Sequence, residues 1–426
     1  MTSISGCPLT EGIIGKMTAN RFSFYEEALQ HNDPLWSDDL NAWLIFRYDF
    51  ISHFLKDKRF TANRKKEFFE KLNIAEEEKQ FLTSFYSKWL MYMDAPEHTQ
   101  LRRKVQLPIN KINARITEIS QSAANSVFSR IPLKEGQAVI DAVSEIADPF
   151  INNVMADLLG LSVKDYSTIL AEATSAVDFL WNPHPDHSHI QNAIASIKKT
   201  YRLINEIIDD ERFEEDRLFD CVLKSIGTHQ ESLALIINIV IDGHEPFLSA
   251  IKTFMYFFIK YSSENPSFLD SLPIETFAEE TLRLEIPFPY CARNANEDIQ
   301  IGSKTIKKGN RVIFFISAGN VDPQQYINPS CIHQHSHKSA PLTFGAGSHY
   351  CAGAVITKKS LAIFAKSFQK AFQGQNLSQS KASWMDTFGF RTLNHLTIIS
   401  TKAAEIPSYQ EESNIVNKLD ESNLQA

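Results

Sequence analysis

A glycine-rich segment, PLTFGAGSHYCAGAVITKKSLAIF (341–364), contains the residue of this chain best suited to chemistry, Cys351. An apolar periodicity begins directly after the cysteine and predicts an amphipathic helix over 354–371. A helix N-terminus with free amides favours a thiolate over a thiol. Gly345 and Gly347 permit a tight loop that can bend close to a flat ligand. Taken alone, the segment is equally compatible with an ordinary cysteine in a glycine-rich turn before a helix.

A second unusual segment, IVIDGHEPFLSA (239–250), interrupts a long apolar pattern that predicts a helix over 229–262. It contains two acids, Asp242 and Glu245, and a proline, Pro246. A proline in a helix interior costs about 3 kcal/mol. Buried carboxylates are costly too unless they have partners or a function. The segment therefore predicts a functional site in the middle of a core helix.

The cysteine segment resembles the haem-binding loop of the cytochromes P-450, whose pattern is F-G-x-G-x-H-x-C-x-G. All six fixed positions match, and they are Phe344, Gly345, Gly347, His349, Cys351 and Gly353. The resemblance implies that Cys351 is the axial ligand of haem iron and that the cofactor is haem b. It also implies that His349 donates to a haem propionate, that Phe344 covers the sulfur and that Gly353 lets the backbone approach closely.

The segment EETLRLEIPFPYCARN (279–294) contains the family's E-x-x-R pair, Glu280 and Arg283. Three residues apart on a helix, the two side chains share a face. The resemblance implies a buried structural pair beneath the haem loop, whereas the ordinary alternative is a surface ion pair of under about 1 kcal/mol. Arg293, ten residues later, stands where the family places a propionate-binding arginine.

The segment MDAPEHTQLRRKV (93–105) resembles the start of the family's helix C. His98 and Arg102 are four residues apart, so that one helix face presents two donors to haem carboxylates. A departure from the family follows in the segment 320–334, where Cys331 replaces an arginine that joins the E-x-x-R pair. The third member of that network is therefore missing or supplied from elsewhere.

The central segment resembles the family's helix I, where the usual order is a small residue, Gly, any residue, an acid and Thr. Gly243 and Glu245 match, while Asp242 replaces the small residue and Pro246 replaces the threonine. An acid feeds protons to the distal site through a water that the threonine hydroxyl holds, and proline has no hydroxyl. We therefore expect a kink, a groove beside Gly243 and proton delivery assisted by the substrate. Asp242 would relay protons or bind a substrate group, and His244 is expected to face away.

The fold class expected is mainly α with small β-sheets, namely a cytochrome P-450 fold with a long central helix over the haem. A single haem-binding domain is expected over 1–404, followed by a disordered tail over 405–426. Helices are predicted over 142–181, 190–210, 229–262 and 274–285, and strands within 42–47, 299–319 and 395–401.

Composition restricts the partners and the compartment. The net charge of −8 argues against nucleic acid or an anionic membrane as the main partner. The 5 cysteines are widely separated, which indicates a reducing compartment rather than a disulfide framework. Neither a signal peptide pattern nor an uncharged apolar window of membrane-spanning length is visible. We expect a cytoplasmic protein that is a monomer and binds no membrane.

Aromatic and thioether side chains are expected around the substrate, which suits a bulky, largely apolar small molecule such as a natural-product intermediate. From the family's topology, the expected pocket residues are Trp89, Met91, Met93, Phe179, Phe247, Phe288, Pro289, Tyr290 and Phe390.

The resemblance implies a monooxygenase that uses O2 and electrons from a ferredoxin and a ferredoxin reductase. Four basic residues would flank the thiolate face of the haem and could steer an acidic ferredoxin: Arg103, Lys104, Lys358 and Lys359. They are as readily explained as ordinary solubilising charge. Two other functions remain open, a peroxide-using or otherwise atypical enzyme of this fold, and a non-catalytic haem protein that binds a pathway partner.

Overall fold

The computed structural model describes residues 9, 11–131, 137–181, 185–332, 338–385 and 388–402, and over these ranges the chain is mainly helical with small sheets, as the sequence predicts. The segment 405–426, predicted to be a disordered tail, lies outside the described residues. The helices are α1 (Ile13–Ala28), α2 (Tyr48–Phe54), α3 (Lys65–Glu70), α4 (Glu76–Tyr86), α5 (Glu97–Ile112), α6 (Ile116–Phe128), α7 (Asp148–Leu159), α8 (Val163–Trp181), α9 (His187–Asp209), α10 (Leu218–Ser225), α11 (His229–Glu264), α12 (Pro266–Ser271), α13 (Ile274–Leu284), α14 (Ile316–Gly319) and α15 (Ala354–Ala371). The strands are β1 (Leu35–Ser37), β2 (Ala42–Ile45), β3 (Phe60–Thr61), β4 (Gln137–Asp141), β5 (Cys291–Ala295), β6 (Ile299–Ile301), β7 (Lys304–Ile306), β8 (Arg311–Phe314), β9 (Gln375–Trp384) and β10 (Leu393–Lys402).

The central helix α11 has 36 residues and begins with a capping box. Thr228 Oγ1 accepts from the amide of Glu231, whose carboxylate accepts in turn from the amide of Thr228. The helix continues through Pro246 as one element. It is long and apolar enough to cross a membrane, but 72% of its most apolar window is buried inside the protein. It is therefore an interior helix.

The predicted helix over 142–181 is divided in the structure. A π-helical turn (Val143–Ala147) leads into α7, and Gly160 ends α7 in the left-handed conformation at φ 76° before α8 begins. A Cβ at Gly160 would lie 2.6 Å from the side chain of Arg217, so both the backbone angle and the space require glycine. The apolar periodicity resumes after the break, which is why the pattern alone predicted one helix.

Two sheets frame the helices. The larger has the strand order β1-β2-β8-β5-β3, in which β2 and β8 are parallel and the other pairs antiparallel. The smaller has the order β4-β10-β9, and β6 and β7 form a separate hairpin. Strands lie within each of the three predicted segments. Five strands were not predicted. β1 and β3 have only 3 and 2 residues, and β4, β5 and β9 have polar sequences, such as CARNA in β5, that lack the apolar alternation of a half-buried strand.

An aromatic cluster fixes the helices that carry the site. Phe254 of α11 lies 6.0 Å, centroid to centroid, from both Phe277 of α13 and Phe364 of α15. Phe258, one turn further along α11, lies 5.3 Å from Phe368 of α15. Such edge-to-face pairs contribute about 0.5–1.5 kcal/mol each beyond their buried area. They hold the helix after the cysteine and the E-x-x-R helix against the central helix.

Candidate active site

The cysteine loop has the conformation its glycines predict. Gly345 and Gly347 have φ angles of 74° and 73°, which side chains rarely adopt. A Cβ at Gly347 would also lie 2.8 Å from the carbonyl oxygen of Leu55. The amide of Cys351 donates to the carbonyl of Phe344 at 2.9 Å and closes the loop. Cys351 is thereby held three residues before the first residue of α15.

The electrostatics of Cys351 differ from the expectation that the helix N-terminus alone favours a thiolate. The surrounding protein atoms raise the pKa of the Cys351 thiol by desolvation, although the side chain is open to solvent, and the amide of Gly353 and the charge of Arg102 lower it by less. The thiolate therefore needs a further positive charge. Iron bonded to the sulfur would supply that charge, since coordinated thiols are deprotonated outright. The donor set fits a haem iron in this respect.

Two histidines meet beside the cysteine loop. The imidazole rings of His98, on α5, and His349 lie 4.2 Å apart. His98 is buried, and its Nε2 has no hydrogen-bond partner in the described part of the chain. Burial is the main cause that lowers the pKa of both rings, to about 3 for His349. Both rings are therefore neutral at pH 7 and able to donate one N–H each.

Two arginines complete this group. Arg102 Nη2 donates to the carbonyl of Tyr350 at 2.7 Å, and Arg293 Nη1 donates to the carbonyl of Ala292 at 2.8 Å. Arg293 and Arg102 both lower the pKa of His349. Four donors from α5, β5 and the cysteine loop thus converge beside Cys351. A ligand with carboxylate groups, such as the propionates of haem, fits this arrangement and would satisfy the unpaired Nε2.

Asp242 faces the cysteine across the site. Its carboxylate accepts from Asn238 Nδ2, one turn earlier on α11. Burial raises the pKa of Asp242 to about 7. The carboxylate is close enough to raise the pKa of both Cys351 and Tyr92, the last residue of the 3-10 turn Leu90–Tyr92. The Asp242 carboxylate therefore lies on the side of α11 toward Cys351.

Gly243 and Phe247 lie on another side of α11. A Cβ at Gly243 would lie 2.8 Å from Cε of Met155 on α7, so glycine allows α7 to pack closely here. The ring of Phe247, one turn later, lies 6.4 Å from that of Phe150, also on α7. The expected groove beside Gly243 is therefore filled by Met155. Phe247 follows Gly243 by four residues and therefore shares its helix face, which packs against α7. Phe247 thus belongs to the core between the two helices rather than to the substrate pocket.

Glu245 belongs to a partly buried network of charges that was not predicted from the sequence. Lys252 lies two turns further along α11, is 7% exposed, and donates from Nζ to the carbonyl of Leu393 at 3.1 Å. Burial raises the pKa of Glu245, and the charges of Asp148 and Asp178 raise that pKa further. The charge of Lys252 lowers it. Burial lowers the pKa of Lys252, and the nearby carboxylates of Asp148 and Glu245 raise it. Acidic and basic groups thus surround Glu245 on the side of α7 and α8.

His244 is a satisfied structural histidine, as expected. Its Nδ1 lies 2.8 Å from the hydroxyl of Tyr166 on α8. Burial lowers the pKa of His244 to about 4, so the ring is neutral at pH 7. Ser249 is also satisfied, since its Oγ donates to the carbonyl of Arg391 at 2.6 Å. Neither side chain is available to the site.

The E-x-x-R pair is buried, and its arginine reaches three main-chain oxygens. Arg283 Nε and Nη2 donate to the Glu280 carboxylate at 2.9 Å, and Arg283 is 0% exposed. Nη1 donates to the carbonyls of Asn320 and Pro329 at 2.8 and 2.7 Å, and Nη2 also donates to the carbonyl of Cys331 at 2.7 Å. Residue 331 therefore takes part in the network through its backbone, although its side chain is not the family's arginine.

Asn320 connects this network to the cysteine loop. Its Nδ2 donates to the carbonyl of Arg283 at 3.2 Å and to Thr343 Oγ1 at 3.1 Å. Its Oδ1 accepts from the amide of Leu342 at 2.7 Å. The buried ion pair and the segment that leads into the loop are thus one hydrogen-bonded unit.

The expected pocket residues separate into two groups. Phe288 lies 5.2 Å from Phe390, and Tyr290 lies 4.9 Å from Phe388, so the segment after the E-x-x-R helix meets the late turn as expected. Pro289 is buried, and its carbonyl accepts from Ser317. Met91 and Met93, on either side of Tyr92 in the chain, are half-buried.

Trp89 and Phe179 are placed differently from the expectation. Both are 0% exposed. The rings of Phe85 and Tyr86 lie 5.7 and 5.2 Å from that of Trp89, and the ring of Phe179 lies 6.0 Å from Tyr86. Both side chains are core residues rather than pocket residues.

The basic surface near the cysteine loop is exposed. Four basic side chains are exposed there: Arg103, Lys104, Lys358 and Lys359. Lys358 Nζ lies 3.7 Å from Glu279 Oε1, and Lys359 Nζ donates to the carbonyl of Asn113 at 3.4 Å. A depression of about 470 Å³ opens beside them and is lined in part by Lys56, Phe344, Tyr350 and Lys358. The depression reaches Gly345 and Gly347 of the cysteine loop.

Comparison with known proteins agrees with this geometry. The family model "Cytochrome P450" matches residues 274–393, which include Arg283 and Cys351. The chain is 24% identical to the biotin biosynthesis cytochrome P450 of Bacillus subtilis (strain 168) over 393 residues, which cover 89% of this chain and 96% of that protein. It is 26% identical to the polyketide biosynthesis cytochrome P450 PksS of the same organism, over 85% of this chain and 89% of that protein.

Solved structures share the fold. CalO2 matches with a TM-score of 0.79 at 18% identity, over 94% of this chain and 100% of that chain. P450BioI in complex with hexadec-9Z-enoic acid ligated acyl carrier protein matches with a TM-score of 0.74 at 21% identity, over 91% and 99% of the two chains. The fold and the cysteine loop define the class of haem-thiolate oxidoreductases. The chain belongs to the cytochrome P450 superfamily and is a monooxygenase of that family.

Proposed function

We propose that this chain binds haem b and oxidises a bulky, largely apolar natural-product intermediate, using O2 and electrons from a ferredoxin. The observation that carries the proposal is the position of Cys351, opposite Asp242 and beside the four donors His98, Arg102, Arg293 and His349. A thiolate ligand, propionate donors and a distal acid are the parts that this chemistry requires.

Cys351 would be the axial ligand of the iron, and His98, Arg102, Arg293 and His349 would hold the propionates. Phe344, Gly345 and Gly353 would shape the loop around the sulfur. When bound, haem with a thiolate ligand supplies the activation of dioxygen. The pair Glu280 and Arg283 would hold the loop in place, since its network reaches Leu342 and Thr343.

Protons would come from groups on α11. Glu245 is half-buried within reach of the charges of Lys252 and Asp148, and a pKa above its usual range suits a group that holds and gives up a proton. Asp242, with a pKa of about 7, is a second acid on the face toward Cys351. Pro246 has no hydroxyl to hold a water between them. We propose that a polar group of the substrate holds this water instead. Gly243 would permit the close packing of α7 that fixes the position of the helix.

The substrate class follows from the pocket and the relatives. Met91, Met93, Phe288, Pro289, Tyr290 and Phe390 offer thioether and aromatic surfaces. Two of the relatives are described as cytochromes P450 of biotin and polyketide biosynthesis, and a mycinamicin IV hydroxylase/epoxidase from Micromonospora griseorubida is 25% identical. These names support a biosynthetic intermediate as the substrate of this chain.

Electrons would arrive from a ferredoxin and its reductase at the exposed basic face of Arg103, Lys104, Lys358 and Lys359. The haem domain would extend over 1–404. We further propose that the protein works in the cytoplasm as a monomer, without nucleic acid or membrane as partners.

The reduced protein with CO tests the ligand: thiolate ligation predicts the Soret band of the family, and Cys351→His should abolish it. Reconstitution with ferredoxin, ferredoxin reductase and NADPH should then give product with a panel of apolar biosynthetic intermediates. The replacement of the usual threonine by Pro246 favours one alternative, direct use of peroxide. Product with peroxide but not with the ferredoxin system would select that alternative.

A further inference from the structure

The two acids in the middle of α11 differ in the charges around them. Glu245 has a cation within reach, since the charge of Lys252 lowers its pKa. Asp242, three residues earlier, has none: among the described residues, burial and a hydrogen bond from Asn238 are the only causes that act on its pKa. The chain thus supplies a counter-charge for one acid and a neutral amide for the other.

Asp242 offers acceptors to a ligand. Asn238 Nδ2 donates to one carboxylate oxygen, and the other oxygen takes no hydrogen bond from any residue that the structure describes. The main-chain carbonyl of Asp242 also lacks its usual helix partner, because Pro246 has no N–H to donate. A ligand at this position therefore needs to donate hydrogen bonds.

The Asp242 carboxylate lies within the site and not behind it. It is close enough to raise the pKa of both Cys351 and Tyr92. Tyr92 stands in the chain between Met91 and Met93, two of the expected pocket residues. Cys351 is exposed and Asp242 half-buried, so both side chains keep surface that a ligand can reach. A group bound at Asp242 would adjoin the thioether side chains and face Cys351.

Nearby arginines do not neutralise this acid. Arg102 lowers the pKa of Cys351, and Arg64, whose guanidinium lies 4.9 Å from the ring of Tyr92, lowers the pKa of that phenol. Neither arginine acts on the pKa of Asp242. A carboxylate that protein atoms desolvate without a cation nearby is unfavourable. Its place on the open side of α11 therefore favours a cationic ligand.

Asp242 also shares a helix face with Pro246, because the two residues are four apart. The family usually has a threonine hydroxyl at the position of Pro246. An ammonium group bound at Asp242 would bring N–H donors to the face where this hydroxyl is missing. The polar substrate group of the proposed function thereby acquires a chemical identity, and Glu245 remains as the acid that delivers protons.

We propose that Asp242, held by Asn238, binds the ammonium group of a basic and otherwise largely apolar substrate, and so fixes which carbon lies toward Cys351. This inference rests on the proposed function, because it names a chemical class for the substrate of the same site. A neutral hydroxyl would use the same acceptors. It would make the weaker contact, since charge-assisted hydrogen bonds are about twice as strong as neutral ones.

Binding of two probes to the haem-loaded protein tests the inference: N,N-dimethyldodecylamine and dodecan-1-ol, each titrated by calorimetry and by the Soret shift. At about pH 8, Asp242 is mostly ionised while the amine is still a cation. The amine should bind about tenfold or more tightly than the alcohol. Asp242→Asn should remove most of that preference, whereas Asp242→Glu, which keeps the charge, should keep part of it.

Glu264→Gln is the matched control, because it removes the same charge from the exposed end of α11 and should leave the preference as in the wild type. Equal affinity of the wild-type protein for the two probes would mean that Asp242 stays protonated and would overturn the inference. A preference that survives Asp242→Asn would overturn it too, as would a Soret shift to longer wavelength, which reports an amine bound to iron.

The reduced CO spectrum is recorded for the wild type and for every variant. A wild-type protein without the thiolate band would refute the proposed function itself. A normal band in a protein that does not prefer the amine would refute the inference alone.

Discussion

The imidazole rings of His98 and His349 lie 4.2 Å apart, although they come from α5 and from the cysteine loop. Burial lowers the pKa of both rings, so two neutral imidazoles can be this close without repulsion. A bound carboxylate would accept an N–H from each neutral ring and so connect α5 to the cysteine loop. The pair therefore joins the two halves of the site in a way that depends on an anionic ligand.

Replacement of His98 by phenylalanine should weaken haem binding. The change removes the buried Nε2 that has no partner in the described protein and with it one donor to a propionate. Loss of such a hydrogen bond costs about 1.5–3 kcal/mol, which corresponds to haem loss about 10- to 100-fold faster. The measurement is the rate of haem transfer to an excess of a haem-scavenging protein. His395→Phe, on the exposed face of β10, is the control, and equal rates for both variants would show that His98 does not hold the cofactor.

Replacement of Asp242 by asparagine should stabilise the protein as the pH rises. The pKa of Asp242 is about 7 in the folded chain and about 4 in an unfolded one, so the folded state binds the proton more tightly. Asp242 therefore lowers the free energy of unfolding progressively between pH 4 and pH 7, by at most about 4 kcal/mol. The variant and the wild type should be equally stable near pH 4 and diverge above it. Denaturant unfolding at several pH values measures this, and parallel curves would contradict it.

Replacement of Arg283 by lysine should destabilise the fold by about 3 kcal/mol or more, because a buried carboxylate and several carbonyls would lose their donors. Cys331→Ala should change the free energy of unfolding by no more than about 0.5 kcal/mol, since Arg283 binds the carbonyl of residue 331 and not its side chain. Denaturant midpoints of the two variants give the comparison. A large loss in Cys331→Ala would mean that the thiol has a role of its own.

Replacement of Glu245 by glutamine should lower turnover about 100-fold, as expected for the loss of a group that delivers protons. Lys252→Met should act differently. It removes a charge that lowers the pKa of Glu245, so that pKa should rise and the alkaline limit of the turnover profile should move to higher pH. Lys260→Met, further along the same helix, is the control. An unchanged pH profile in Lys252→Met would exclude a link between the two side chains.

Replacement of Pro246 by threonine should restore a hydroxyl at the position where the family usually has one. If the substrate holds the water in the wild-type protein, the variant should oxidise poor substrates with less wasted NADPH and leave the coupling with the natural substrate unchanged. The measurement is product formed per NADPH consumed. A gain in coupling with every substrate, including the natural one, would remove the support for substrate assistance.

The sequence predicted the site better than the surroundings of the site. The cysteine loop and the E-x-x-R pair are local patterns, and local spacing fixes their geometry: α15 begins and ends at the predicted residues 354 and 371. The position of Asp242 also followed from spacing, because residues four apart share a helix face. For the same reason, the burial of Phe247 against α7 could have been anticipated from its place four residues after Gly243.

Other features depend on distant parts of the chain. The aromatic cluster around Trp89 required the packing of α4 and α8, which placed two expected pocket residues in the core. Lys252 did leave a signal, since it follows Glu245 by two helical turns, where an apolar residue would be usual in a core helix.

The three carbonyls that Arg283 binds belong to residues of quite different character, an asparagine, a proline and a cysteine. A main-chain oxygen is the same in every amino acid, so this part of the scaffold does not restrict which side chains may occupy positions 329 and 331. Substitutions can therefore accumulate there over evolutionary time while the cysteine loop stays in place. A search for relatives that requires an arginine at position 331 would overlook proteins built like this one.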